Sequence, residues 1–203
     1  MALRDSCMKQ AYLASIGRII SETLALERDN GFAYFLLPYG NAKLFVVSPP
    51  RSLFVDGEIA LMLGLRRLVE EDAAHKLALE ERVAMITERM SAGPVLSAES
   101  YPDECWAFCN AVALAALTVG DALDRTDHSA LSKRWVETAK AKLTDAKTGL
   151  LVSRHAYDGT VMDGPEGSTL WMVLHALALV DPFARDQYEL AKRELSRSML
   201  GFG

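Results

Sequence analysis

Tyr101-Pro102-Asp103-Glu104-Cys105-Trp106-Ala107-Phe108-Cys109-Asn110, running on through Ala111 to Val119, decides how the rest of the chain is read. The stretch opens on a proline and two carboxylates, then turns apolar on every side. A helix that is hydrophobic all round has to be buried all round, so the sequence predicts a central helix over 103–119. Its first turn carries two acids, two thiols and an amide. Asp103 and Glu104 either complement the positive end of the helix dipole or carry chemistry.

The same grammar recurs on both sides. Pro50-Arg51-Ser52-Leu53-Phe54-Val55-Asp56-Gly57-Glu58 leads into an apolar run from Ile59 to Leu65, and Pro165-Glu166-Gly167-Ser168-Thr169-Leu170-Trp171-Met172 leads into Val173 to Val180. Prolines at positions 50, 102 and 165 make a loose repeat near the upper end of helical repeat periods. Three buried helices announced by similar loops point to repeated helical hairpins.

Between them lie helices of a different kind. Residues 72–90 place Leu79, Val83, Ile86 and Met90 on one face against Lys76, Glu80, Arg82, Glu88 and Arg89. Leu131, Trp135, Ala139 and Leu143 recur every four residues against Lys133, Arg134, Lys140 and Lys142. Residues 4–27 carry a stripe of Met8, Tyr12, Ile16, Ile19 and Ile20, stopped by Asp29-Asn30-Gly31, and 184–199 pack through Tyr188, Ala191, Leu195 and Met199. The connection over 28–52 is rich in aromatic and branched residues, with Pro38 and Gly40-Asn41, and suits two short strands or an extended loop better than a helix. Asp158-Gly159 within 150–162 signals a hairpin.

The order is therefore outer, inner, outer, inner, outer, inner, outer. A plain bundle or solenoid uses helices of one amphipathic type. Strict alternation predicts an all-α fold of two layers: an incomplete (α/α) toroid of inner and outer helices with short β-hairpin loops. Residues 1–203 read as one such domain. A closed toroid of six hairpins needs more helices than the seven read here, so partner subunits or missing barrel segments are expected to complete the wall, and a homo-oligomer is expected.

Composition sets outer limits. The chain has 203 residues, is 50% hydrophobic and carries a net charge of −5, enough for one core and short for two. No Lys/Arg cluster interleaved with aromatics occurs, which argues against nucleic acid. Three cysteines, Cys7, Cys105 and Cys109, form no disulfide framework and favour a reducing compartment. Met1-Ala2-Leu3-Arg4-Asp5 turns polar too soon for a signal-peptide core. The longest apolar stretch is broken by Asn110 and Gly120, short of the ~18 residues of a membrane span. A cytoplasmic protein is expected. No Gly-rich phosphate loop, Gly-x-Ser-x-Gly elbow or His-Glu-x-x-His is present.

The alternating layers resemble the six-hairpin (α/α) toroid superfamily, which includes glycosidases and lyases. So does the Asp145-x-x-Thr148-Gly149-Leu150-Leu151 turn with the Asp163-Gly164-Pro165-Glu166-Gly167-Ser168 lead-in. More narrowly, Tyr101-Pro102-Asp103-Glu104-Cys105-Trp106 with Cys109-Asn110 looks like the linalool dehydratase/isomerase domain family, over about 48–199. That resemblance implies a helical toroid with a pocket at one end. It also implies cofactor-free acid–base chemistry on an isoprenoid alcohol, using polar residues that include two cysteines. Glycan processing, in the wider superfamily, and a non-catalytic module that binds a protein partner are the alternatives.

The candidate catalytic residues are Asp103, Glu104, Cys105, Cys109, His155, Asp163 and Glu166. Cys105 and Cys109 stand four apart, hence on one helical face, with core filling as their alternative use. As a zinc site they are two ligands short, with His155 and His175 the only histidines able to complete it; no metal and no cofactor are expected. The four acids precede or begin inner helices, where they either cap or divide acid and base roles at one mouth of the barrel. His155 and Tyr157, on the predicted hairpin, are placed to exchange a proton there, whereas His175 reads as a core residue. Tyr101, Trp106, Asn110, Tyr157 and Trp171 are the candidate substrate-binding residues for an isoprenoid alcohol or a sugar.

Overall fold

The computed structural model describes residues 6–38 and 43–195. These are mostly helical: seven α-helices and one three-stranded antiparallel sheet. After a 3-10 turn at Ser6–Met8 come α1 (Lys9–Asn30), α2 (Leu53–Val69), α3 (Ala73–Ala92), α4 (Ala107–Asp124), α5 (Ser129–Lys142), α6 (Gly167–Leu177) and α7 (Phe183–Leu195). The strands are β1 (Cys105–Trp106), β2 (Arg154–His155) and β3 (Val161–Asp163), in the order β1-β2-β3.

Helix α4 is the axis of the molecule. Ala111, Ala113, Leu114, Ala115, Ala116 and Leu117 have no exposed surface, and α2, α3 and α6 pack against it. Its alanines let α2 approach closely: a Cβ on Gly64 would lie 2.7 Å from Val119 Cγ1, so only glycine fits there without displacing Val119. Helix α1 covers α2, and α7 covers α6. By length and apolarity α4 alone, among the described helices, reaches a membrane span, which corrects the expectation of a shorter run; 67% of it is buried inside the fold, as in a core helix.

Helix boundaries follow local chemistry. Gly31, at φ 76°, ends α1 and donates its N–H to Glu27 O. Ser52 and Asp72 cap α2 and α3, accepting from Val55 N and His75 N. The hairpin between β2 and β3 turns at Gly159, φ 95°, where Ala156 N donates to Thr160 O at 2.8 Å. Asp145 Oδ1 accepts from Thr148 N and Thr148 Oγ1, both at 2.8 Å, closing the turn before Leu150.

Five expectations need correction. The connection expected to hold strands forms a 3-10 turn at Phe32–Phe35 and then irregular backbone over 43–52, with no strand among the described residues; Gly40-Asn41 lies outside them. Helix α4 begins at Ala107 and not at Asp103, because the preceding residues are drawn into a turn and β1 by pairing with β2. Arg82, expected on the wet face of α3, is buried against Asp56. Helix α6 is half-buried: Val173 and Leu177 face inward, while Trp171, Met172 and His175 are exposed, so His175 is not a core residue. On α7, Phe183, Ala184 and Gln187 make the buried face, whereas Tyr188 and Leu195 are exposed; Met199 lies outside the described residues.

Candidate functional site

The segment before α4 is folded back on itself. Tyr101 N and Ser100 N both donate to Glu104 O, at 3.2 and 2.8 Å, and Glu104 N returns a bond to Tyr101 O at 2.9 Å. Asp103 takes the left-handed conformation at φ 56°, which aspartate tolerates better than most residues. Its N–H donates to Glu99 Oε1 at 2.7 Å. The buried Glu99 carboxylate also accepts from Val46 N and Val47 N, at 2.9 and 3.0 Å. One side chain thereby ties the loop ahead of α2 to the turn ahead of α4, since a buried carboxylate needs donors on every side.

Beyond the turn, the sheet collects most of the sequence-predicted residues. Cys105 stands opposite His155 and Trp106 opposite Arg154. The Arg154 guanidinium reaches Glu104 Oε2 at 3.0 Å and Asp163 Oδ2 at 2.6 Å, and lies 5.3 Å from the Trp106 ring centroid. Trp106 Nε1 donates to Glu104 Oε2 at 3.2 Å. Tyr157 N donates to Asp103 Oδ1 at 3.2 Å. Glu104 and Asp163 thus meet at Arg154, which sequence reasoning did not single out, while Asp103 and Tyr157 meet through a bond of their own beside it. Glu104 and Asp163 are engaged by a cation, an arrangement that orders β1, β2 and β3 and fixes the Trp106 ring.

Other predicted residues serve elsewhere. Asn110 is fully buried with both ends of its amide committed to backbone: Oδ1 accepts from Ala98 N at 3.1 Å and Nδ2 donates to Trp106 O at 2.9 Å. It holds the N-terminus of α4. Glu166 is the exposed N-cap of α6. Trp171 is 58% exposed and stacks edge-on against His175 at 4.6 Å; it borders a groove with α7, away from Trp106. The pairing of Cys105 and Cys109 on one helical face is corrected, because Cys105 belongs to β1 and only Cys109 to α4.

The cavity at this end of α4, about 200 Å³, is walled by Leu37, Phe54, Tyr101, Trp106, Phe108 and Cys109. Phe54 and Tyr101 stack with ring planes 14° apart. Phe54 also borders a second cavity of about 180 Å³, lined with Phe35, Ile59, Met62, Thr23 and Glu58. Of the lining residues, Tyr101, Trp106 and Cys109 stand in the sequence-predicted set. Leu37, Phe54 and Phe108 were missed; the Phe54 lead-in before α2, so similar to that before α4, is the signal that could have found Phe54.

Burial pushes the Cys109 thiol up to about 12. The Ser100 hydroxyl, within hydrogen-bonding reach of the sulfur, works against that and a nearby Glu58 charge works with it. Cys105 is raised further by burial and by Glu99 and Asp103. Both thiols are neutral at pH 7 and so are not thiolate nucleophiles; Cys109 lines the cavity as a weak donor. Burial lowers His155 below the ordinary histidine value. Its Nδ1 lies 2.8 Å from Ala156 O, an acceptor, and so carries the proton. Among the described residues no three His, Cys, Asp or Glu side chains gather as a metal site. Alkylation with iodoacetamide at pH 8 is expected to modify the exposed Cys7 and to spare Cys105 and Cys109 until the chain is unfolded. Peptide mass spectrometry with and without urea checks this; rapid labelling of Cys109 in the folded protein would contradict it.

A mostly helical protein, with an aromatic cavity set against the start of a central apolar helix, is the class these observations define. The family model for linalool dehydratase/isomerase matches residues 74–200, well over half of the chain. The chain belongs to the linalool dehydratase/isomerase family. The matched range takes in Tyr101, Trp106, Phe108 and Cys109, whereas Leu37, Phe54 and Glu58 precede it.

Proposed function

We propose that the chain runs cofactor-independent acid–base chemistry, as a lyase or isomerase, on a small apolar alcohol held in the cavity walled by Phe54, Tyr101, Trp106, Phe108 and Cys109. The observation that carries this reading is the lining itself: four aromatic side chains and a neutral thiol, with no charged residue among them. Such a surface desolvates a hydrocarbon and offers almost nothing to the many hydroxyls of a glycan. Its volume suits a small molecule and not an oligosaccharide. Family membership favours the same substrate class.

In this reading the helices form part of an (α/α) toroid. Helices α2, α4 and α6 are its inner layer, and α1, α3, α5 and α7 its outer layer. Exposed Trp171, Met172 and Leu179 then mark the open flank of that wall, where another copy of the chain completes it, since large apolar patches signal association.

The test is incubation of the full chain with linalool, following alkene products by headspace gas chromatography and affinity by tryptophan fluorescence. Conversion is expected in the wild type. Phe54→Ala and Cys109→Ala are each expected to lower it by about tenfold or more, because a cavity that loses its shape misplaces the reacting atoms. Binding without conversion would favour a non-catalytic module, and neither binding nor conversion across small terpenoid alcohols would overturn the proposal.

A further inference from the structure

Glu58 stands apart from every other acid near the site. It lies in the second turn of α2, two residues after Asp56. Asp56 is paired with Arg51 and Arg82; Glu58 makes no hydrogen bond or ion pair with any described residue, and burial is the single influence on its carboxyl. The side chain borders the 180 Å³ cavity with Phe35, Phe54, Ile59 and Met62, so most of its neighbours there are apolar. Thr23 of α1 shares that lining, and from α4 Cys109 is near enough to feel the carboxylate charge. Glu58 therefore lines a cavity that adjoins the aromatic one, with Phe54 as the wall the two share.

A half-buried carboxyl without a cation or donor is costly to keep ionised. The three acids buried among the described residues are each given partners: Glu99 takes three backbone N–H groups, Glu104 takes Arg154 and Trp106, and Asp56 takes two arginines. We infer that Glu58 is the proton-donating acid of the site, a catalytic carboxyl that dehydrates a tertiary or allylic alcohol bound against Phe54. This rests on the reading of the cavity as an alcohol site. The proton of the Glu58 carboxyl forms a new O–H bond on the substrate hydroxyl. The C–O bond breaks, both electrons leave with water, and the carbocation is held against the face of Phe54, which attracts positive charge. The Glu58 carboxylate then takes a proton from the adjacent carbon, and the electrons of that C–H bond become the new double bond. Alcohol yields alkene and water, and Glu58 returns protonated; no oxidant or reductant is consumed.

Burial raises the Glu58 pKa, and two signs follow. The acid form is the active one, so turnover falls as pH rises through that raised value. Stability behaves alike: between the unfolded and folded pKa the native state holds the extra proton, so this group's contribution is present at low pH and is lost as pH rises through the window.

The experiment compares the full-length wild type with Glu58→Gln, using linalool as the probe. Turnover, affinity and melting temperature are measured across pH. The proposal expects a loss of about 10²- to 10⁴-fold in turnover, unchanged affinity, a melting temperature equal to or above wild type, and disappearance of the alkaline limb of the rate profile. Wild-type turnover retained by Glu58→Gln overturns the Glu58 role and leaves the alcohol reading standing. Lost turnover accompanied by a lower melting temperature and weaker binding marks Glu58 as structural and also overturns it. A wild type that neither binds nor converts the probe sinks the alcohol reading itself, and the Glu58 role with it.

Discussion

Asp56→Ala is expected to destabilise the chain by about 3–5 kcal/mol, the cost of leaving a buried charge without its partner. Asp56 is 1% exposed. Its Oδ1 accepts from Arg82 Nη1 at 2.6 Å, and Arg51 binds both carboxylate oxygens. Glu27 of α1 pairs with the same two arginines. Four side chains from α1, α2, α3 and the loop ahead of α2 are thereby knotted together. Without the carboxylate, Arg82 keeps only Glu27 and stays enclosed. Asp56→Asn should cost nearly as much, since it keeps the shape and loses the charge. Replacing Asp56 and Arg82 together by leucine and methionine should recover most of the loss, because an apolar pair of similar volume needs no solvation. Urea unfolding reads all three variants as shifts in midpoint at constant slope; an unshifted midpoint for Asp56→Ala would show that the network contributes nothing.

Trp135→Ala is the second large effect, also about 3–5 kcal/mol, from lost transfer energy and the cavity left behind. Trp135 is 1% exposed, and its Nε1 donates to Ser97 Oγ at 3.2 Å, itself fully buried. The ring therefore fastens α5 to the loop that carries Val95, Leu96 and Ser97 towards the Tyr101 turn. Trp135→Phe should keep most of the packing and lose about 1 kcal/mol with the hydrogen bond. Melting temperatures of the two variants separate the contributions. The alanine variant should also weaken any ligand bound beside Trp106, since the segment from Gly93 to Trp106 leads directly into that wall. Equal melting of Trp135→Ala and wild type would contradict the packing assigned to this ring.

The features legible in the residues alone were local ones. The spacing of Leu131, Trp135 and Ala139 marked the buried face of α5 because a helix brings residues four apart onto one side. Asp145 with Thr148-Gly149, and Asp158-Gly159, marked turns because short polar side chains and glycine satisfy bent backbone. The run from Ala111 to Val119 marked the central helix because, Thr118 apart, it holds no polar residue and so offers no face to water. Tyr101, Trp106 and Cys109 were legible as close neighbours, and they line one cavity, because aromatics and a thiol crowd the lead-in to that helix.

What escaped the sequence depended on partners far along the chain. Asp103 to Trp106 read as a first helical turn, yet Cys105 and Trp106 pair with His155 and Arg154, some fifty residues on; no local preference encodes that pairing. Arg82 read as a surface residue because its partner, Asp56, belongs to another helix. Asn110 carried the look of a binding amide until Ala98 and Trp106 were seen to use both its ends. His175 sat in an apolar run, but α6 turns that face outward. Glu58 is the sharpest case. The sequence by itself determined the helices and the apolar axis, and it set two acids, Asp56 and Glu58, two residues apart on α2. Only the tertiary structure decided that Asp56 receives two arginines while Glu58 receives none, because the free energy of a buried carboxyl is set by what other elements bring to it, and not by its neighbours in sequence.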